Sequence, residues 1–373
     1  MDFSYSDDQA AAIDLARQIL TDHSTPKQLR AIEQAGGPRF DRELWAKLAD
    51  AGLLAVSAPE KFGGAAQGFL TVAGIVEQAG RTAAAAPVLE SEVLGVLPIT
   101  QFGSAAQKER WLPRIGRGEA IVTAALVEPH RAATDPGARA VKDGTGYRLT
   151  GRKLAVPAGP IADAFLVPTA LDGAVAVFLV EATAPGLSRE DLVTTSRQPE
   201  SLLVLDTVAV DADALLGTAA QGAEIVRWIE LRATAALCAL AVGVCSEALR
   251  LTAEYTKARK QFDQPIATFQ AVGQRAADAF IDTEAIRLTA LQAAWRIEAG
   301  EPADAAVATA KYWAAVGGSR VVRAAQHLHG GAGVDREYPL HRYYLFARQL
   351  ELTLGGGTQQ LRRLGKLIAE GVA

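Results

Sequence analysis

The chain has 373 residues, 49% of them hydrophobic, and its 42 acidic against 38 basic side chains give a formal net charge of -4. Such a length and apolar share can fill two or three cores, whereas the slightly negative balance leaves no basic field of the kind that nucleic acid requires. No stretch approaches the roughly 20 uninterrupted apolar residues of a membrane span, and the acidic opening (Asp2, Asp7, Asp8) is unlike a secretory signal, so a soluble, cytoplasmic protein with no membrane partner is expected.

From Ser6 to about Ile115, Ala/Leu-rich helical periods alternate with short breaks, which predicts five or six helices in an N-terminal all-α domain over 1–118. One runs from an Asp41 cap to about Gly52, and Pro59-Glu60-Lys61-Phe62-Gly63-Gly64 then makes a loop. Between 119 and 219 the period falls to two. Strands are predicted at 120–127, 147–154, 162–168, 174–180 and 201–206, a middle domain built as a small antiparallel barrel or sandwich. From 220 to 373 long helical periods return, at 222–258, 266–299, 302–328, 341–352 and 358–370, and predict a C-terminal helical bundle. Cys238 and Cys245 stand seven apart within the first of these, about 10 Å along a helix axis, too far to bridge. They are expected to be reduced core residues. His327 and His329, two apart on a helix, point to different sides, so no metal set is expected.

One turn stands out. A helical run ending near Glu351-Leu352 stops at Gly355-Gly356-Gly357, and a new helix is expected behind Thr358 acting as its N-cap. Three glycines let backbone come close to a ligand or to other backbone, but they supply no side chain that could move a proton.

Four patterns and their order carry a resemblance. They are Leu44-Trp45-Ala46-Lys47-Leu48 to Pro59–Gly64; Arg259-Lys260-Gln261-Phe262-Asp263-Gln264-Pro265-Ile266 to Phe269-Gln270-Ala271-Val272; His329-Gly330-Gly331-Ala332-Gly333-Val334 to Tyr338-Pro339; and Gly357-Thr358 to Arg362-Arg363. With the α, β, α order, the chain resembles the acyl-CoA dehydrogenase family over nearly its whole length. These are flavoenzymes with an N-terminal helical domain, a middle β domain and a C-terminal four-helix bundle. The resemblance implies FAD. It also implies that Arg259 meets the pyrophosphate of a flavin bound mainly by the neighbouring subunit, with Gln261, Phe262 and Gln270 beside it and Gly330 and Gly331 offering backbone amides. His327 stands where the family usually has Gln.

The contacts implied for the subunit's own flavin are depleted. Glu128-Pro129 is kept, but the Gly-Ser step after it reads Ala132-Ala133; Ala155 stands for the stacking Trp and Pro157 for a hydroxyl residue. Thr358 and Gln360 match cofactor-contacting positions on this same side. The family's base precedes Gly-Thr, where this chain has Gly356, or sits on the helix opening the bundle, at or next to Ala233. Glu230 and Glu351 are the nearest carboxylates that could replace it.

The expectation is therefore one partner of a heteromeric pair. The chain resembles the subunit without a base in actinobacterial α2β2 acyl-CoA dehydrogenases acting on CoA thioesters of steroid side chains. It would complete the FAD site of a catalytic paralogue, whose electrons pass to an electron-transfer acceptor protein. Two alternatives stay open: a homomeric enzyme using Glu230 or Glu351 as base, and a cofactor-free assembly module of the same fold.

Overall fold

Ser6 starts the first helix by accepting the Gln9 amide on its hydroxyl, while the Gln9 side chain returns to the Ser6 amide. The computed structural model describes residues 3–372. In chain order the elements are α1 (Asp7–His23), α2 (Pro26–Ala35), α3 (Arg42–Asp50), α4 (Phe69–Arg81), α5 (Val88–Ser91), α6 (Leu97–Phe102) and α7 (Ala105–Gly116). Then come β1 (Val122–Ala124), β2 (Arg139–Asp143), β3 (Gly146–Pro157), β4 (Ala164–Leu171), β5 (Ala174–Glu181), β6 (Leu187–Leu192) and β7 (Glu200–Val210). The rest is α8 (Gly222–Ala258), a hairpin of β8 (Lys260–Gln261) and β9 (Gln264–Pro265), α9 (Gln270–Glu298), α10 (Asp304–His329), α11 (Leu340–Leu352) and α12 (Gly357–Ala369). A π-helical segment, Glu92–Val96, joins α5 to α6 in one continuous rod. The α, β, α order along the chain is as expected.

The chain forms two compact units. The first gathers the N-terminal stretch through Arg30, Phe69–Ala84 and everything from Thr234 on; the second holds Ala31–Gly68 and Ala85–Ala233. In the first unit α4 packs on α1 and α9, and α10 packs on α9, α11 and α12. Glycines set the closest approaches: a Cβ on Gly80 would lie 2.2 Å from the Leu240 carbonyl oxygen, and one on Gly243 would lie 2.0 Å from that of Glu77. Helix α8 is long and apolar enough to cross a membrane by length and composition, but 78% of its most apolar window is buried. Cys238 and Cys245 are free thiols in its buried face, and burial pushes both up to about 12.

The second unit is built on one seven-stranded sheet ordered β1-β4-β2-β3-β7-β6, with β5 also on β4. The expected antiparallel pairing holds for β2-β3, β3-β7, β7-β6 and β4-β5, whereas β1 and β2 both run parallel to β4, making the sheet mixed. β2 and β6 carry no strand signal in the sequence. β6 reads Leu187-Ser-Arg-Glu-Asp-Leu192 and is solvated on both faces; its order comes from pairing with β7, and its charges suit a sheet edge.

Candidate functional site

Arg259 follows the last residue of α8, its amide donating to the Tyr255 carbonyl at 2.8 Å. The β8–β9 hairpin then turns through Phe262 and Asp263, both at positive φ (53° and 64°). That is the mirror-image turn that suits a two-residue hairpin, and non-glycine residues adopt it at a conformational cost. Its product is an arm. Arg259, Gln261 and Phe262 are all exposed on it; the Phe262 ring, 88% exposed, meets only the edge of Phe269, at 6.2 Å between centroids. Gln270 opens α9 immediately behind and is exposed too.

The glycine pair lies at the same end of this unit. His329, in the last turn of α10, is buried and stacks on Tyr255 at 4.4 Å. Its Nδ1 lies 2.7 Å from the Ala325 carbonyl and its Nε2 3.1 Å from the Tyr338 hydroxyl. The carbonyl fixes Nδ1–H as the donor and leaves Nε2 to accept from Tyr338. Burial holds the imidazolium below its ordinary range, with the carbonyl offsetting only part of the shift. Gly330 follows at φ 58°, ψ -135°, a conformation closed to side-chain-bearing residues, and neither Gly330 nor Gly331 has an atom within 4 Å of the place a Cβ would occupy. His327 is exposed and contacts the Arg275 guanidinium through Nδ1.

Arg275 and Tyr255 escaped sequence reasoning, and His329 and Tyr338 entered it only as letters of the third pattern, because their roles come from how three helix ends meet. Charge distinguishes the cluster as well. Several arginines elsewhere in the unit face carboxylates, as in Arg250 with Glu247 and Glu254, Arg287 with Glu284, and Arg320 with Asp282. Arg259 and Arg275 form no ion pair among the described residues, leaving guanidinium donors for an external anion.

The glycine turn is a different environment. Thr358 is not the N-cap; Gly356 is, because α12 begins at Gly357, and the Gln359 side chain accepts the Gly356 amide at 3.1 Å. Thr358 is exposed in the first helical turn. Gln360 is buried; its Nε2 donates to the carbonyls of Leu354 and Gly355 at 3.1 and 3.2 Å, while Oε1 has no partner among the described residues. Lys311, fully buried, closes the end of α11 by donating to the Leu350 and Glu351 carbonyls at 2.8 and 3.3 Å. Glu351 is tied to Arg348, whose guanidinium also reaches the Ser319 hydroxyl at 2.8 Å. A Cβ on Gly357 would lie 2.6 Å from Val316, 14 residues before Gly330, so this turn and the Gly330 end are about 21 Å apart along α10.

In the second unit, Glu128 is also occupied. Its carboxylate takes the Gly137 amide at 2.6 Å, the Ala138 amide at 3.2 Å and the fully buried Lys153 ammonium at 2.6 Å. Desolvation favours its neutral form, but the ammonium and the amides together outweigh it and hold the carboxyl below its ordinary range. The pair ties the loop after β1 to β3. Two residues on, Ala155 stands at φ 48° within a break in the β3–β7 register. Glu230 is half-buried on α8 and Ala233 is buried three residues later.

Residues 6–119 match the acyl-CoA dehydrogenase N-terminal domain family and residues 221–372 the C-terminal domain family. The chain belongs to the acyl-CoA dehydrogenase family. It is similar to the acyl-CoA dehydrogenase FadE27 of Mycobacterium tuberculosis, with 42% identity over 99% of both chains. It is also similar to a chain of the ChsE4-ChsE5 complex from Mycobacterium tuberculosis (TM-score 0.94, 43% identity, 99% of each chain covered). A chain of a Tcur3481-Tcur3483 steroid acyl-CoA dehydrogenase variant matches with TM-score 0.90 and 43% identity over 98% of each.

Proposed function

We propose that this chain is the subunit of a heteromeric acyl-CoA dehydrogenase that donates flavin contacts to a catalytic partner and carries no base of its own. The observation that carries the reading is the contrast between an Arg259–Gly331 end with open glycines and guanidinium groups that lack carboxylate partners, and a Gly356 turn with no proton-moving side chain. The first fits a dinucleotide. Arg259 and Arg275 would hold phosphate, Gly330 and Gly331 would admit it to backbone amides, and Phe262 with Gln261 and Gln270 would cover the adenosine side. FAD, when bound, supplies the acceptor for hydride leaving the β-carbon of a CoA thioester. At the positions that the family resemblance gives to the subunit's own flavin and base, Ala155 removes a stacking ring, Pro157 removes a backbone donor and Gly356 removes the carboxylate.

A homomeric enzyme with a displaced base is the weaker reading, because Glu351 is already bound to Arg348. The heteromeric relatives, one of them described as a steroid enzyme, support a steroid side-chain thioester as the substrate class. The partner would be a catalytic paralogue in an α2β2 assembly that passes electrons to an acceptor protein. Co-expression with such a paralogue tests it: one FAD per pair of unlike subunits and no FAD on this chain purified alone are expected. An active yellow homomer of this chain would overturn it.

A further inference from the structure

Arg232 lies one turn after Trp228 on α8, and its guanidinium carbon is 3.7 Å from the centre of the indole ring. The other cation–aromatic contacts in the chain lie at 4.7 to 5.7 Å, and only a guanidinium lying flat on the ring comes so near. Phe102 meets the Trp228 ring edge-on at 5.3 Å. One face of the guanidinium is thereby used, and its N–H edge is left over. Among the described residues that edge has neither a carboxylate nor a hydrogen-bond acceptor. Arg39, Arg81 and Arg348, which are also buried or half-buried, each face a carboxylate. Burial pushes Arg232 down to about 10 with no neighbouring charge to offset it.

We propose that Arg232, held on the Trp228 platform, is an oxyanion-binding residue that takes the phosphate or carboxylate group of a small-molecule ligand. A half-buried cation without a counter-charge is less well solvated than one in bulk water, at a cost to the fold. An oxyanion docking on the fork forms two parallel charge-assisted hydrogen bonds and removes that penalty, and the stacked ring fixes the orientation in advance. None of the three residues belongs to the flavin-contacting set, so this assignment does not rest on the heteromer reading.

The test uses the full chain, with inorganic phosphate and succinate as separate probes, each compared with sodium chloride at matched ionic strength. Either probe should raise the thermal midpoint of the wild type beyond the chloride control. Arg232→Met should lose that shift while its ligand-free midpoint stays equal to or above the wild type. Arg232→Lys keeps the charge but loses the fork, and should weaken binding by about tenfold in calorimetry. A response to phosphate alone identifies a phosphate-bearing ligand, and a response to succinate alone a carboxylate-bearing one. The assignment is overturned if neither anion shifts the wild type, if Arg232→Met shifts equally, or if Arg232→Met is less stable or fails to fold.

Discussion

The Arg259–Gly331 end of the first unit and the Glu128–Ala155 region of the second treat their polar groups in opposite ways. At the first, guanidinium groups lack carboxylate partners, a phenylalanine is 88% exposed on a turn at positive φ, and two glycines face open space. In the second, Glu128 spends its carboxylate on Lys153 and two backbone amides, and a small residue occupies the bulge. Polar groups left unpaired at a conformational cost point to an absent ligand; polar groups satisfied internally point to architecture. A family-typical residue such as Glu128 can therefore persist for its structural work.

The strongest way to break this contrast is Lys153→Met, which strands Glu128 beside two amides. Removing one partner of a buried pair should cost about 3 kcal/mol in chemical denaturation. Adding Glu128→Gln should recover part of that loss, and flavin content of the co-expressed complex should not change. A loss of flavin with stability intact would make this region a binding site after all. Next comes Arg259→Glu, which puts repulsion where a pyrophosphate would lie. It should weaken FAD retention by the complex about 100-fold, read from flavin released on dilution, with no change in the thermal midpoint of the free chain.

Much of this was legible in the sequence. The helix α8 spans 222–258 as its apolar period predicts, and the Arg259–Gln270 motif falls on an exposed arm. Other features were hidden for physical reasons. Thr358 looks like an N-cap, yet the helix starts two residues early because the Gln359 side chain already satisfies the Gly356 amide. Pairing to β7 outweighs the polar composition of β6. The Arg275–His327 contact joins residues 52 apart, and no local pattern announces it.

The three glycines of the turn sharpen the contrast further, because they are not equivalent. Gly355 is at φ 99°, and a Cβ on Gly357 would lie 2.6 Å from Val316, so alanine at either should cost about 1–3 kcal/mol. Gly356 is at φ -77°, and its Cβ would meet nothing nearer than the Glu351 carbonyl oxygen at 3.6 Å. Gly356→Ala should change stability by no more than about 0.5 kcal/mol. The backbone at Gly355 and the Val316 side chain at Gly357 thus demand the outer glycines and leave the middle one free to carry a side chain, at one of the two positions where the family resemblance puts a base. Gly356→Glu should fold, and under the heteromer reading it should still give no dehydrogenase activity in the chain alone, because Ala155 and Pro157 remain.

The smallest expected effect concerns pH at the Arg259–Gly331 end. His329 is held neutral by burial, so its pKa in the folded chain is lower than the roughly 6.5 of an unfolded one. A depressed histidine pKa contributes stability that is present above about pH 6.5 and is lost as pH falls through that value toward the folded pKa. The groups facing the ring are Tyr255 and Tyr338, and burial raises the Tyr338 hydroxyl further away from this window. Thermal midpoints measured from pH 7.5 to 5.5 should therefore fall for the wild type and fall less for His329→Gln, which keeps a polar side chain but cannot take up a proton. FAD retention by the complex should follow the same course, since the ring that stacks on Tyr255 also fixes where α10 gives way to Gly330. Parallel pH profiles for the two proteins would mean that the Gly330 turn is set by its own backbone and not by the histidine beneath it.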